Sequence, residues 1–170
     1  MDLPYLISLS QGGLADFVEQ FARTMIKILT LPIPTISVCN GHTVAAGLIL
    51  ALSCDIRFIS DGNYKIQMNE TINSIAIPMW MLLITNLTIP PQYRCELLLH
   101  SHIYTPHEAV NKGLFHGIIN KNPDIIKELK HRIDNLMKID INTYTKTKQR
   151  MVDKHEFKKA IEAIKKELKD

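Results

Sequence analysis

Residues 31–61 read LPIPTISVCNGHTVAAGLILALSCDIRFISD, and two changes of pattern within them decide the fold. After Pro34, the run Thr35-Ile36-Ser37-Val38-Cys39 is short and rich in β-branched residues, which reads as a strand feeding the turn signal Asn40-Gly41. From Val44 to Cys54 the small residues come first, and large aliphatics then occupy every side of a helix. A helix that is apolar all round has to be buried. Residues 55–60 read as a second strand. Strand, buried helix and strand in succession predict a crossover unit of an α/β fold, because parallel strands need a connection of this kind.

Working outward, Leu14, Phe17, Phe21, Met25, Ile28 and Leu29 recur close to a 3.6-residue period between Gly12-Gly13 and Pro32, which predicts a helix over 14–31 with one buried stripe. On the other side, Asp61-Gly62 is a turn signal between the second strand and an extended piece over 64–67. Residues 79–87 and 92–99 read as helices separated by Pro90-Pro91. Thr105-Pro106-His107-Glu108 is a helix start, with Thr as N-cap, Pro at the first position and Glu reaching back; the helix should end at Gly113. Residues 117–120 are extended, and helices follow from Asp124 in two or three segments. In the last of them Phe157, Ile161, Ile164 and Leu168 form an apolar stripe among lysines, the pattern of a helix docked on the body with its lysines solvated.

The chain has 170 residues, 46% hydrophobic and 22% charged, which excludes disordered, collagenous and membrane-spanning classes. A domain of this length buries roughly 70% of its unfolded surface and needs no disulfide or metal to fold. The wide spacing of Cys39, Cys54 and Cys95 fits neither a disulfide framework nor a zinc cluster, so they are expected as reduced, buried thiols. The start, MDLPYLISLSQGG, lacks the basic and apolar regions of a signal peptide, so a cytoplasmic location is expected, with an organellar lumen left open. The net charge of +3 is uneven: residues 146–170 carry nine Lys/Arg against five Asp/Glu, and the rest is nearly neutral. The seven histidines share no metal spacing; His100 and His102 would share a face only in a strand. No metal is expected. Ser37 and Ser53 have no histidine partner pattern, and the basic tail lacks the interleaved aromatics of nucleic-acid binding.

In the order strand, Asn-Gly-His turn, small residues, buried helix and Cys-Asp strand, residues 31–61 resemble the enoyl-CoA hydratase/isomerase, or crotonase, family. Residues 105–119, TPHEAVNKGLFHGII, are similar to the family's "ISAEEALRLGLVDRVV". The resemblance implies a crotonase-like α/β spiral of ββα units over 1–120, lacking its first strands, and a basic helical region over 121–170 that serves oligomerisation as a trimer or hexamer. It implies acyl-CoA or enoyl-CoA thioesters as ligands, with coenzyme A as part of the substrate and no separate cofactor, nucleic acid or membrane span. The tail lysines would contact its phosphates.

Residues 45–47, Ala-Ala-Gly, lie where a turn opens into a helix, so their N–H groups lack intrahelical partners and sit at the positive end of the dipole. By the resemblance, the Ala46 N–H is one oxyanion-hole donor and the other falls at Met1, followed by Asp2-Leu3 where the family has an Asp-Leu pair. The chain is thus expected to begin inside the active site. Asp2, Leu3, Ala45, Gly47, Ile49 and Pro78 are the implied substrate-binding positions. The first hydratase glutamate would stand at Ile49, so hydration by two carboxylates is disfavoured. The second falls at Glu70, ahead of Pro78, and a single glutamate suits double-bond isomerisation. Pro78 is flanked by Met79, Trp80 and Met81, for which a core role is preferred over an acyl pocket. Three readings remain open: an enoyl-CoA isomerase, a non-catalytic remnant or binding subunit, and hydratase or other crotonase chemistry on the same oxyanion hole.

Overall fold

The computed structural model describes residues 3–120 and 124–168. A short helix α1 (Leu3–Ser8) leads into the long α2 (Gln11–Leu29). The Ser10 hydroxyl caps α2 by accepting from Gly13 N–H at 3.1 Å, so the helix starts before the two glycines and not after them. Strand β1 (Ile36–Cys39) follows, then a two-residue strand β2 (Thr43–Val44), helix α3 (Ala46–Leu52), β3 (Ile56–Ser60) and the two-residue β4 (Ile66–Gln67). Helices α4 (Met79–Thr88), α5 (Pro91–Leu98) and α6 (Pro106–Asn111) precede β5 (Gly117–Ile119), and α7 (Ile125–Leu136), α8 (Ile141–Arg150) and α9 (Lys154–Glu167) complete the order. Among the described residues no helix is long and apolar enough to cross a membrane.

The main sheet has the order β1-β3-β5, all parallel, with Ile36 opposite Ile56 and Phe58 opposite Gly117. As the central strand, β3 is covered on both faces, and alternation divides its side chains. Ile59 points into the principal core with Leu48, Ile49 and Leu52 of α3 and Trp80 and Ile84 of α4, whereas Phe58 joins Ile119 and Leu129 in a smaller cluster under α7. The expected crossover through α3 is present. Leu50 is nonetheless 44% exposed, so α3 is buried along most of its circumference and not all of it.

The Asp61-Gly62 turn does not make a hairpin. After the turn, β4 leaves β3 and pairs in parallel with β2, Thr43 opposite Ile66 and Val44 opposite Gln67. A turn signal reports a local bend and is silent on which strand is the next partner. The thiols also differ from expectation: Cys95 is exposed and Cys39 and Cys54 are half-buried, with burial raising the pKa of the latter two. His100 and His102 lie outside helix and strand. The capping box forms as read, Thr105 N–H donating to Glu108 Oε2 at 2.8 Å, and Gly113 ends that helix region in a left-handed conformation, φ +74°.

The C-terminal helices close the principal core. Phe157, Ala160, Ile161 and Ile164 of α9 are buried in the same cluster as Ala22, Met25 and Leu29 of α2. Upstream, α8 is fastened by Lys148, 7% exposed, whose ammonium donates to Asp55 Oδ2 at 2.7 Å and to the Ile33 carbonyl at 3.1 Å. The same Asp55 oxygen accepts from the Thr35 N–H at 2.8 Å and its hydroxyl at 2.9 Å. One carboxylate thereby joins the approach to β1, the start of β3 and α8.

Two predictions follow from this packing. Lys148→Met leaves Asp55 without its cation and is expected to destabilise the chain by about 3 kcal/mol, a fall in Tm of roughly 6–12 °C. Lys158→Gln, at the exposed pair with Glu162, should stay within about 0.5 kcal/mol; equal effects from the two substitutions would refute the role given to Lys148. Ala45, just before α3, has φ +51° and ψ −119°, a conformation suited to glycine. Ala45→Gly is expected to stabilise by about 1 kcal/mol, seen as a Tm about 2–4 °C higher, and a lowered Tm would show that Ala45 is unstrained.

Candidate active site

The β2–β4 ladder brings two parts of the chain together. Val44 and Gln67 are register partners, and the Ala45 N–H donates to the Gln67 carbonyl at 2.9 Å. Three residues beyond Gln67 stands Glu70, and one residue beyond Ala45 helix α3 begins. The first bond of the α3 ladder runs from Ile49 N–H to the Ala45 carbonyl at 3.0 Å, so the N–H groups of Ala46, Gly47 and Leu48 precede it. Ala46 is half-buried and Gly47 exposed, and a Cβ placed on Gly47 would meet no atom within 4 Å. The face over these donors is open. The turn at Ala45 aims them: its left-handed backbone lets β2 end and α3 start without an intervening loop.

Glu70 is only 7% exposed, yet its Oε2 is buried without a hydrogen-bond partner. Burial pushes its carboxyl above the ordinary range, and the backbone N–H groups of Glu70 and Asn69 offset this only in part. No charged side chain is among the causes of the shift. An unpaired buried carboxylate is unfavourable for folding and is the state in which a carboxylate serves as a proton acceptor near neutral pH.

Of the other positions, Ala45 and Gly47 flank Ala46. Ile49, the position that the resemblance gives to a first hydratase glutamate, is fully buried in the principal core. Pro78 is half-buried as the N-cap of α4, eight residues past Glu70. Trp80 is fully buried with its ring edge-on to Phe21 at 5.7 Å, and Met81 is buried, while Met79 is 49% exposed. Met1 and Asp2 lie outside the described residues, and Leu3 opens α1. An apolar groove of about 510 Å³ begins at Thr71, next to Glu70, and runs past Ile75, Ile77, Leu82 and Leu98. Glu70 and Ala46 do not line it. Among the described residues no group of three His, Cys, Asp or Glu could hold a metal ion. Several tail lysines already have carboxylate partners: Lys148 with Asp55, Lys159 with Glu156 and Lys165 with Asp16.

Sequence reasoning missed the ladder, because strands of two residues show no periodicity, and it missed the hydrogen-bonding roles of Gln67 and Thr71. The one available signal was that Gln67 is polar beside Ile66 and Met68, both fully buried.

The chain is similar to several known proteins. The chain is 36% identical over 102 residues to Enoyl-CoA delta isomerase 2, peroxisomal, of Arabidopsis thaliana, covering 59% of this chain and 42% of that protein. It is 25% identical over 120 residues to Enoyl-CoA delta isomerase 1, mitochondrial, of Homo sapiens, covering 70% and 40%. The chain therefore spans less than half the length of these curated relatives. Among solved structures, an enoyl-CoA hydratase from Mycobacterium ulcerans superposes with a TM-score of 0.88 at 21% identity, over 98% of this chain and 73% of that one. Human mitochondrial delta3-delta2-enoyl-CoA isomerase superposes with a TM-score of 0.85 at 22% identity, over 99% and 65%. A family model described as Enoyl-CoA hydratase/isomerase matches residues 2–169. With that match along its length and its parallel strands packed under C-terminal helices, the chain belongs to the enoyl-CoA hydratase/isomerase family and has the crotonase fold.

Proposed function

We propose that the chain binds enoyl-CoA thioesters and moves their double bond, with Glu70 as the proton carrier. The observation that carries this reading is the buried Glu70 carboxyl, whose Oε2 has no hydrogen-bond partner, tied through the β2–β4 ladder to the open N–H groups at the start of α3. In its ionised form Glu70 takes a proton from C2 of a 3-enoyl thioester. The electron pair moves onto the thioester oxygen, where the Ala46 N–H, framed by Ala45 and Gly47, stabilises the enolate. By the resemblance alone, a second donor is assigned to Met1 and substrate contacts to Asp2 and Leu3. Protonated Glu70 then returns its proton to C4, and the product is the 2-enoyl thioester. The steps balance without oxidant or added water, and coenzyme A serves as the carrier half of the substrate. Ile49 supplies no second carboxylate to hold a water, which favours isomerisation over hydration. Names of relatives in both plant and animal lineages support the same choice.

A second reading is favoured by the apolar groove beside Thr71, which neither Glu70 nor Ala46 lines: a non-catalytic binding subunit of the same fold. Glu70→Gln separates the two. For an isomerase, this substitution is expected to lower kcat/KM by about a thousandfold while calorimetric binding of a medium-chain enoyl-CoA persists. Binding without parent turnover supports the subunit reading, and absence of binding overturns both.

The raised pKa of Glu70 also sets the pH behaviour. The parent's kcat/KM should rise with pH along a limb displaced upward from the ordinary glutamate value near 4.5. Folded Glu70 holds its proton more tightly than the unfolded chain does. Stability from this group is therefore greatest at low pH and declines as pH rises from the unfolded value through the higher folded one. Glu70→Gln should remove that decline and melt no lower than the parent at neutral pH. A parent limb at or below the ordinary value would overturn the role of burial.

Self-association as a trimer or hexamer belongs to the same proposal. Its support is the set of exposed apolar side chains on and around the C-terminal helices, among them Ile126 at 70%, Met137 at 79% and Met151 at 67% exposure. Sedimentation equilibrium is expected to show a trimer or hexamer, and a persistent monomer would remove this part.

A further inference from the structure

The segment that carries Glu70 lies along residues 98–104. Ile66 and Tyr104 exchange both backbone hydrogen bonds, at 3.0 and 2.9 Å. Gln67 Nε2 donates to the Ser101 carbonyl at 2.7 Å, the Thr71 hydroxyl to the Leu98 carbonyl at 2.7 Å, and the Ile72 N–H to Ser101 Oγ at 3.3 Å. Ser101 thus holds the segment on both sides of Glu70, through its carbonyl three residues before and its hydroxyl two residues after.

Ser101 does so in a conformation that its residue type disfavours. It is 5% exposed with φ +49°, in the left-handed region that glycine enters freely and asparagine more readily than other side chains. A buried serine stays there only when its surroundings over-determine it, and its hydrogen bonds with Gln67 and Ile72 both run to the Glu70 segment. Because Glu70 Oε2 has no partner of its own, the backbone on either side has to place the carboxylate.

We propose that Ser101 is a positioning residue for Glu70: its hydroxyl pins the Ile72 N–H and its carbonyl pins Gln67, so that the carboxylate is held in one place for proton transfer. The proposal rests on the reading of Glu70 as the proton carrier, and the experiment separates the two. Ser101→Gly keeps the left-handed backbone and removes the hydroxyl. Ser101→Asn restores a side-chain acceptor that tolerates the same backbone.

In the 170-residue chain, Ser101→Gly is expected to melt no lower than the parent, because glycine suits the backbone. The Ile72 amide should exchange with deuterium about tenfold faster. With a 3-enoyl-CoA substrate, kcat should fall about tenfold at nearly constant KM, and the acidic limb of kcat/KM should move. Ser101→Asn should recover slow exchange and most of kcat. Unchanged Ile72 exchange in Ser101→Gly overturns the proposal whether or not the chain turns over, and so does a parent-like kcat and pH limb. A lowered Tm with unchanged kcat in the folded fraction assigns Ser101 to stability alone and also overturns it. If the parent shows no turnover, the reading of Glu70 falls while the Ile72 exchange still decides whether Ser101 holds the segment.

Discussion

The parallel pairing of β2 with β4 is the constraint on which the candidate site depends. Each strand has only two residues, and alone such a ladder contributes little. Its position gives it weight. It lies between the turn that starts α3 and the strand that leads to Glu70, and the Ala45 N–H bond to Gln67 extends it to the last residue before the helix. Any slip in this register would move the α3 donors relative to the carboxylate by a residue's length. The antiparallel bridge of Ile66 to Tyr104 holds the other edge of β4, so the register is set from both sides.

Around this ladder the chain accepts several unfavourable features. Ala45, Ser74 and Ser101 all have positive φ without being glycine, and Glu70 buries a carboxylate oxygen with no partner. Each is of a kind that costs stability and persists only where neighbouring packing is strong. That packing comes from α3, α4 and α9, whose buried side chains form one continuous core with α2. The stable body and the strained site are adjacent because the start of α3 belongs to the site and the rest of the helix to the core.

The C-terminal helices serve the same end from farther away. Asp55 lies three residues past the end of α3 and just before β3, and it accepts from Thr35 as well as from Lys148 of α8. The far end of α3 is thereby tied to the approach to β1 and to the tail. Its near end is left to the short ladder, with open donors, and the contrast between a fastened end and an open one is what a binding site on a helix start requires.

Sequence by itself determined the elements that have a period or a punctuation mark. The stripe of α2, the aliphatic run of α3, the β-branched stretch of β1, the capping box at Thr105 and the stripe of α9 each encode local structure in their own residues, and the small residues before α3 marked where donors would be open. Glu70 was found through family resemblance and not through its surroundings. Tertiary structure alone decided that β4 pairs with β2 and not with β3, that Cys95 faces outward, that Lys148 meets Asp55, and that Ser101 and Gln67 frame Glu70. The pairings among these join residues 23 to 93 positions apart, mostly in short strands and loops whose residues carry no period, and the partners are chosen by how the long elements pack. A chain reveals what each segment prefers; which segments meet depends on the burial that all of them achieve together.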